Sequence, residues 1–300
     1  SFLDLLYDYG SFLEAADIKL GCIPKNTENL RIGIIGAGIS GLIAAYELLR
    51  AGAKNIVLIE AEKNRIGGRA FTKIFDEEKP QFIAEMGAMR FPSSGIATAH
   101  YFKKFGIDTT EAFPDPGIVD TEIYYRGRSY FWKANTAPPS IFSKVFHGWH
   151  AFLNDGVVLG NNKLIAPRYL TKLLSEGNYN EAQLAWQKYL DIFSDFSFYT
   201  GLITIFTGSF PPGGIRWEKP DDFHIFRSLG IGTGGFQPLY NISFTEIMRI
   251  IINALDVDQR IIRAGISSFV NSIASTSFHE KTIRDRLVIG KIIGLQRDDQ

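Results

Sequence analysis

The sequence predicts an α/β protein, a Rossmann-like nucleotide-binding domain interrupted by a mainly helical insertion. Three observations carry that prediction. A short apolar run, RIGII at 31–35, leads into a glycine-rich turn. The segment ISGLIAAYELLRAG at 39–52 then repeats Leu42, Ala45, Leu48 and Leu49 at helical spacing, and NIVLIE at 55–60 is a continuous apolar run that ends in an acid. In order these read as strand, tight turn, helix and buried parallel strand, with Gly52 where a helix C-cap belongs.

The remaining elements follow from periodicity and turn chemistry. Residues 95–106 read as a helix, and 120–132 (DTEIYYRGRSYFW) as two aromatic-rich strands around an Arg126-Gly127 turn. From 140 to about 208 the pattern is helical, with Tyr169, Leu173, Leu184, Trp186, Leu190, Phe193 and Phe196 at spacings that suit packed helices. A loop rich in Gly and Pro follows at 208–222, then SLGIGTGGF at 228–236, and FTEIMRIIINAL reads as another amphipathic helix. The expected organisation is an arm at 1–30, the first segment of the nucleotide-binding domain at 31–100, the helical insertion at 101–255 and a return to the first domain at 256–300. The first residue is Ser and the last segment, LVIGKIIGLQRDDQ, reads as a strand running into charge, so both ends look cut.

Composition removes several classes of function. With 300 residues, 45% hydrophobic and 13% aromatic, the chain can bury one large core or two modest ones. Lys+Arg and Asp+Glu are both 32, and no dense basic run would gain from counterion release, so nucleic acid is not an expected partner. Cys22 is the single cysteine, which excludes an internal disulfide or a CxxC pair and suits a reducing cytoplasm. The N-terminus carries Asp4, Asp8, Glu14 and Asp17 without a basic start, unlike a signal peptide, and no run of about 18 apolar residues exists to span a membrane. His147 and His150 share a helical face but lack a carboxylate or cysteine at ligand spacing, so no metal is expected. Lys163, Arg168 and the charges around 216–222 read as solvated loop charges. Self-association is left open.

The chemistry begins at the first turn. Gly36, Gly38 and Gly41 form GxGxxG directly after the strand, with Ser40 beside them at the mouth of the helix. A pyrophosphate can approach the backbone closely there and meet free N–H groups at the positive end of the helix dipole. Glu60, at the end of the next strand, stands where a carboxylate accepts hydrogen bonds from the adenosine ribose hydroxyls. Just beyond lies Arg65-Ile66-Gly67-Gly68-Arg69, a second close backbone approach with a cation, Arg69, able to face the same pyrophosphate. NAD-binding proteins do not usually carry this second element.

RxGGR after the ribose acid resembles the flavin amine oxidase family, which includes monoamine, polyamine and L-amino-acid oxidases. The resemblance implies FAD as cofactor and a nucleotide-binding fold of the glutathione-reductase-like type. One departure is Glu62, which stands where the family often has an Arg. The segment IAEMGAMRFPSS at 83–94 is similar to the one that lies against the flavin ring in L-amino-acid oxidases, which assigns Gly87, Ala88, Met89 and Arg90 to the cofactor. A lone Arg90 in apolar company needs an anion. Either it grips a substrate α-carboxylate through two parallel hydrogen bonds, or it pairs with an internal acid such as Glu85.

The resemblance extends along nearly the whole chain. It runs through LYDYGSFL, GAGISGLIAAYELLRAG, IAEMGAMRFP, KKFGI, FPDPGIVDTE, YYRGRSYFW, FTGSFPPGG, SLGIGTGGF and DQRIIRAGISS to the branch of the family that oxidatively decarboxylates L-tryptophan. It implies L-tryptophan and O2 as partners, and indole-3-acetamide, CO2 and water as products. It also implies that a C-terminal segment, which binds the rest of the flavin and lines the substrate cavity, is missing, so that strand edges are left exposed. In the SLGIGTGGF loop Phe236 is a candidate to stack on the indole, with a place in the core as the alternative. Two other readings stay open. One is an oxidase for another amino acid, such as phenylalanine, that releases peroxide and keto acid; the other is a non-catalytic remnant that holds nucleotide weakly or not at all.

Overall fold

A computed structural model describes Leu13 and residues 20–110, 112–229 and 237–297. Among the described residues, its contacts divide the chain into two compact units, one of Phe113–Gln259 and the other of the residues from Leu13 to Ala112 together with those from Arg260 onward. The sequence pattern places these limits at about 101 and 255. The difference at the first limit has a physical cause, because Phe102 packs edge-on against Phe91 and Phe269 and so ties 101–112 to the first core.

The discontinuous unit starts with β1 (Arg31–Ile35), α1 (Ile39–Ala51) and β2 (Asn55–Glu60). β1 and β2 pair in parallel from Arg31↔Asn55 to Ile35↔Ile59. Leu42, Ala45, Tyr46 and Leu49 bury one stripe of α1, and Gly52 ends the helix in the left-handed region at φ 113°, where its N–H bonds back to the last turn. Thr72–Ile74 (β3) and Ile83–Glu85 (β4) form an antiparallel pair in which Thr72 faces Glu85, and α2 (Ile96–Lys104) follows.

The continuous unit opens with β5 (Thr121–Tyr125) and β6 (Arg128–Trp132), joined by a two-residue turn with Arg126 at φ 49° and Gly127 at φ 78°, the backbone that matches strand twist. Helices α3 (Ser140–Asp155), α4 (Pro167–Ser175), α5 (Tyr179–Phe193), α6 (Phe198–Thr207), α7 (Pro220–Leu229) and α8 (Phe244–Ile252) enclose an aromatic core. A small hairpin, Val157–Leu159 with Asn162–Leu164, interrupts the helices where the sequence reading saw none. The rings of Phe206 and Trp217 stack face to face at 3.7 Å. Gly148 makes room for them, since a Cβ there would stand 2.8 Å from the Trp217 indole nitrogen.

Two side chains expected in this core are outside it. Leu184 is 72% exposed and Tyr169 43%. In α5 the buried stripe is Ala182, Trp186, Tyr189 and Phe193, and Leu184 falls on the opposite face of that frame. The expected solvated charges also need correction. Arg168 sits in the first turn of α4 and makes a two-pronged pair with Asp256, at 3.1 and 2.6 Å. Asp222 is buried, accepts from Lys144 at 2.8 Å and from the Glu218 and Lys219 N–H groups, and so ties down the start of α7.

The chain then returns to the first unit. Helix α9 (Ile266–Ala274) buries Ile266, Phe269, Val270, Ile273 and Ala274 in that core, and β7 (Leu287–Ile289) pairs in parallel with β2 from Leu287↔Leu58 to Ile289↔Glu60. The sheet order is β1-β2-β7, so among the described residues β1 has no neighbour on its outer edge. Ile35 on that strand is 56% exposed, and Phe75 and Phe82 at the β3-β4 hairpin are exposed as well. No helix among the described residues is long and apolar enough to cross a membrane.

The α6–α8 contact gives a direct test of the aromatic packing. A Cβ at Gly201 would lie 2.2 Å from the Phe244 ring. Gly201→Ala is therefore expected to cost about 1–3 kcal/mol by overpacking, seen as a lower urea midpoint with an unchanged m-value.

Candidate functional site

Two glycine-rich turns of the discontinuous unit meet at the N-terminus of α1. The Gly67 N–H donates to the Ala37 carbonyl at 2.8 Å, and Gly38 and Gly67 form a parallel bridge. The GxGxxG turn and the RxGGR turn thus share one surface. Its glycines divide by role. A Cβ on Gly41 would stand 2.0 Å from the Gly36 carbonyl oxygen, so Gly41 is needed for the turn to close onto the helix. A Cβ on Gly38 would meet nothing closer than 3.9 Å, so the protein itself has room for a side chain there. Gly36 takes φ 94° and donates to the Ile59 carbonyl, which fixes the turn against the end of β2. Gly67 takes φ 101° with Val270 of α9 within 3.1 Å of where a side chain would begin.

Glu60 is oriented by the same turns. Its carboxylate accepts the Ala37 N–H at 2.8 Å and the Glu62 N–H at 2.9 Å. The Glu62 bond contributes most to holding the Glu60 pKa below the ordinary carboxylate value, burial works against it, and the Ala37 bond adds to the lowering. The group is therefore anionic at neutral pH, with further lone-pair directions available to accept from ribose hydroxyls. Glu62, the departure from the family pattern, contributes its backbone N–H here.

The two arginines of RxGGR do different things. Arg65 donates to the Gly68 carbonyl at 2.6 Å and lies over the Phe71 ring at 4.9 Å, so it braces the turn. The Arg69 side chain is exposed, while its carbonyl accepts the Ala88 N–H at 3.1 Å. This bond and the Met86 N–H to Phe71 carbonyl bond, at 2.8 Å, lay the segment Met86–Ala88 along the RxGGR turn. Gly87 cannot carry a side chain, since a Cβ would fall 1.8 Å from the Arg69 oxygen. Gly87, Ala88 and Met89 are exposed, Arg90 is half-buried at the end of the segment, and Ser40 is exposed in the first turn of α1. One unit thus holds together all of the expected cofactor residues. Phe236 lies outside the described residues.

From the sequence alone Glu85 is only an alternative partner of Arg90. In the structure the Glu85 oxygens accept from the Thr72 hydroxyl at 3.0 Å and from the Ile266 N–H at 2.7 Å. The contribution of Thr72 and Ser267 was missed, because both are remote in sequence and neither type signals a site. His147 bonds through Nδ1 to the Ser143 carbonyl at 2.7 Å, and His150 is pushed below its ordinary pKa, first by burial and then by Arg168. No group of three metal-binding side chains occurs among the described residues.

The family described as flavin containing amine oxidoreductase matches residues 39–292, a span that begins at the first helical residue of α1, just after Gly38, and takes in the RxGGR turn and the return to the first unit. The chain belongs to the flavin-containing amine oxidoreductases. Within this family it is 49% identical to the tryptophan 2-monooxygenase of Pseudomonas savastanoi and 47% identical to that of Pantoea agglomerans pv. gypsophilae. Both matches cover 99% of this chain and 53% of the relative, so the chain spans about half the length of these relatives. A phenylalanine 2-monooxygenase precursor from a Pseudomonas species is 26% identical, over 81% of this chain and 41% of that protein. Among solved structures, a putrescine oxidase with a redesigned cofactor site superposes with a TM-score of 0.53 at 16% identity, over 86% of this chain and 50% of that one, which shows the fold.

FAD is the cofactor of the flavin-containing amine oxidoreductases, and the cradle found here fits a dinucleotide: two abutting glycine turns, an ionised acid held by backbone N–H groups and an exposed arginine. The division among the glycines gives a direct test of that fit. Gly38→Val is expected to leave the unfolding free energy of the apoprotein within about 0.5 kcal/mol of wild type and to abolish flavin retention. Gly41→Ala is expected to lower that free energy itself. Retained flavin in Gly38→Val would refute the cradle.

Glu60 gives a pH-dependent test. Its pKa is depressed on folding, so its contribution is present above the ordinary carboxylate pKa of about 4 and disappears as pH falls through the lower folded value. Glu60→Gln is expected to be less stable than wild type at pH 7, with a gap that narrows as pH falls below the ordinary carboxylate range. A gap that did not vary with pH would show that the charge is not what matters.

Proposed function

We propose that the enzyme to which this chain belongs oxidatively decarboxylates L-tryptophan with O2 to indole-3-acetamide, CO2 and water, an opening step towards the auxin indole-3-acetic acid. The observation that carries this reading is the seating of the Arg90 segment on the dinucleotide cradle through the Ala88–Arg69 bond and the side-chain-free Gly87. It supports a carboxylate grip close to the cofactor. Identity of 49% and 47% to tryptophan 2-monooxygenases, against 26% to a phenylalanine 2-monooxygenase precursor, favours indole over phenyl.

FAD, when bound, supplies the hydride acceptor for the substrate Cα–H and the route for electrons to O2. The protein's own part is placement. The Arg90 guanidinium takes the α-carboxylate through two parallel N–H donors, which fixes the rotation of the substrate about its Cα and favours amino acids over simple amines. Gly38, Gly68 and the first turn of α1 receive the pyrophosphate, with Arg69 as counter-charge and Glu60 on the ribose. Phe236 is assigned to the indole ring as a stacking partner. Cys22 as the single thiol fits a cytoplasmic setting.

Arg90→Ala is expected to raise KM for L-tryptophan roughly tenfold to a hundredfold by removing charge-assisted hydrogen bonds, while flavin content is maintained. An unchanged KM would remove the clamp. Product analysis separates the activities, since indole-3-acetamide marks the monooxygenase, whereas keto acid with free peroxide marks an oxidase.

A further inference from the structure

We infer that Glu85, together with Thr72, is a positioning residue for Arg90, a latch that sets where the carboxylate clamp stands relative to the dinucleotide cradle. The inference rests on the reading of Arg90 given above and adds residues to it. Glu85 ends β4 and therefore begins the segment that carries Arg90. Its two oxygens span two elements: one accepts from the Thr72 hydroxyl of β3 at 3.0 Å, the other from the Ile266 N–H that opens α9 at 2.7 Å. Thr72 is buried and completes the latch. Its hydroxyl accepts the Ser267 N–H at 3.0 Å, and its own N–H donates to the Ser267 hydroxyl at 2.9 Å.

The residue before α9, Gly265, supplies no side-chain cap, so Glu85 and Thr72 cap this helix from a distant part of the chain. A carboxylate is suited to that end of a helix. The fit is tight, because a Cβ on Gly265 would be 2.4 Å from the Thr72 side chain. The helix so capped also lies against the RxGGR turn, with Val270 next to Gly67. One rigid element therefore touches both the cradle and the root of the Arg90 segment. Downstream of Glu85 the segment is held by the Met86–Phe71 and Ala88–Arg69 backbone bonds, which transmit the position set at Glu85 to Arg90. Two-pronged recognition of a carboxylate tolerates little displacement, which makes the placement of the root a matter of substrate affinity.

The test uses the flavin-loaded enzyme and two ligands that cannot be oxidised, indole-3-propionate and indole-3-propionamide, which differ in the carboxylate. Affinities are measured by calorimetry alongside KM for L-tryptophan. Glu85→Ala is expected to weaken the acid at least tenfold and the amide less than threefold. Glu85→Gln, which keeps an oxygen to accept the Ile266 N–H, should recover part of the loss. Combined with Arg90→Ala, Glu85→Ala should add little, because the latch acts through the clamp.

Thr72→Val keeps the side-chain shape and removes the hydroxyl, so it carries the same test if Glu85→Ala does not fold. Equal weakening of acid and amide by the latch variants would reduce Glu85 to a general structural role and overturn the inference. If Arg90→Ala discriminates acid from amide while Glu85→Ala and Thr72→Val do not, the latch alone is wrong. If Arg90→Ala leaves both affinities unchanged, the clamp itself is wrong and the latch falls with it.

Discussion

The bond from the Gly67 N–H to the Ala37 carbonyl joins two turns that would otherwise be separate loops, and much of the site depends on it. Once it forms, the first turn of α1, the carboxylate of Glu60 and the backbone of Gly68 face the same space. The segment carrying Arg90 is laid on the second of these turns, so its position is inherited from the same contact. The contact excludes side chains at closely packed points, which is why glycine recurs along it. At Gly41 and Gly87 the obstacle is a carbonyl oxygen of the protein, whereas at Gly38 the nearest protein atom to a Cβ is 3.9 Å away and the protein offers no such obstacle.

The local units were legible in the sequence because their causes are local. The βαβ unit follows from a stripe at Leu42, Ala45 and Leu49, a capping Gly52 and an apolar strand closing on an acid; the Arg126-Gly127 turn follows from the backbone that two-residue hairpins require. Glycines and the acid at dinucleotide spacing were legible for the same reason. What the sequence hid is long-range. Arg168 looked like a loop charge because its partner Asp256 is 88 residues away, and Asp222 looked solvated because Lys144 is 78 residues away. Leu184 was misplaced by a spacing argument that admits more than one helical frame, and only packing of Trp186 and Tyr189 selects between them.

The latch at Glu85 belongs to the same class. An acid in an apolar strand invites pairing with the nearest arginine in sequence, and the structure instead gives its oxygens to a hydroxyl and a helix N–H from elements 13 and 181 residues distant. Buried polar groups are satisfied by whatever the fold brings near, and sequence proximity is a poor guide to that.

The pairing of β7 with β2 has a consequence for the order of events in folding. A chain leaving the ribosome presents β1, α1 and β2 first, yet the strand that flanks β2 and the helix that covers Gly67 are made only after all of Phe113–Gln259 has emerged. Closing so long a loop as a free coil slows the search more than it costs in stability. The intervening unit is continuous in sequence and has its own aromatic core, so it can condense during synthesis and draw the two halves of the interrupted unit towards each other. Until then the apolar faces of β2 and α1 await their cover.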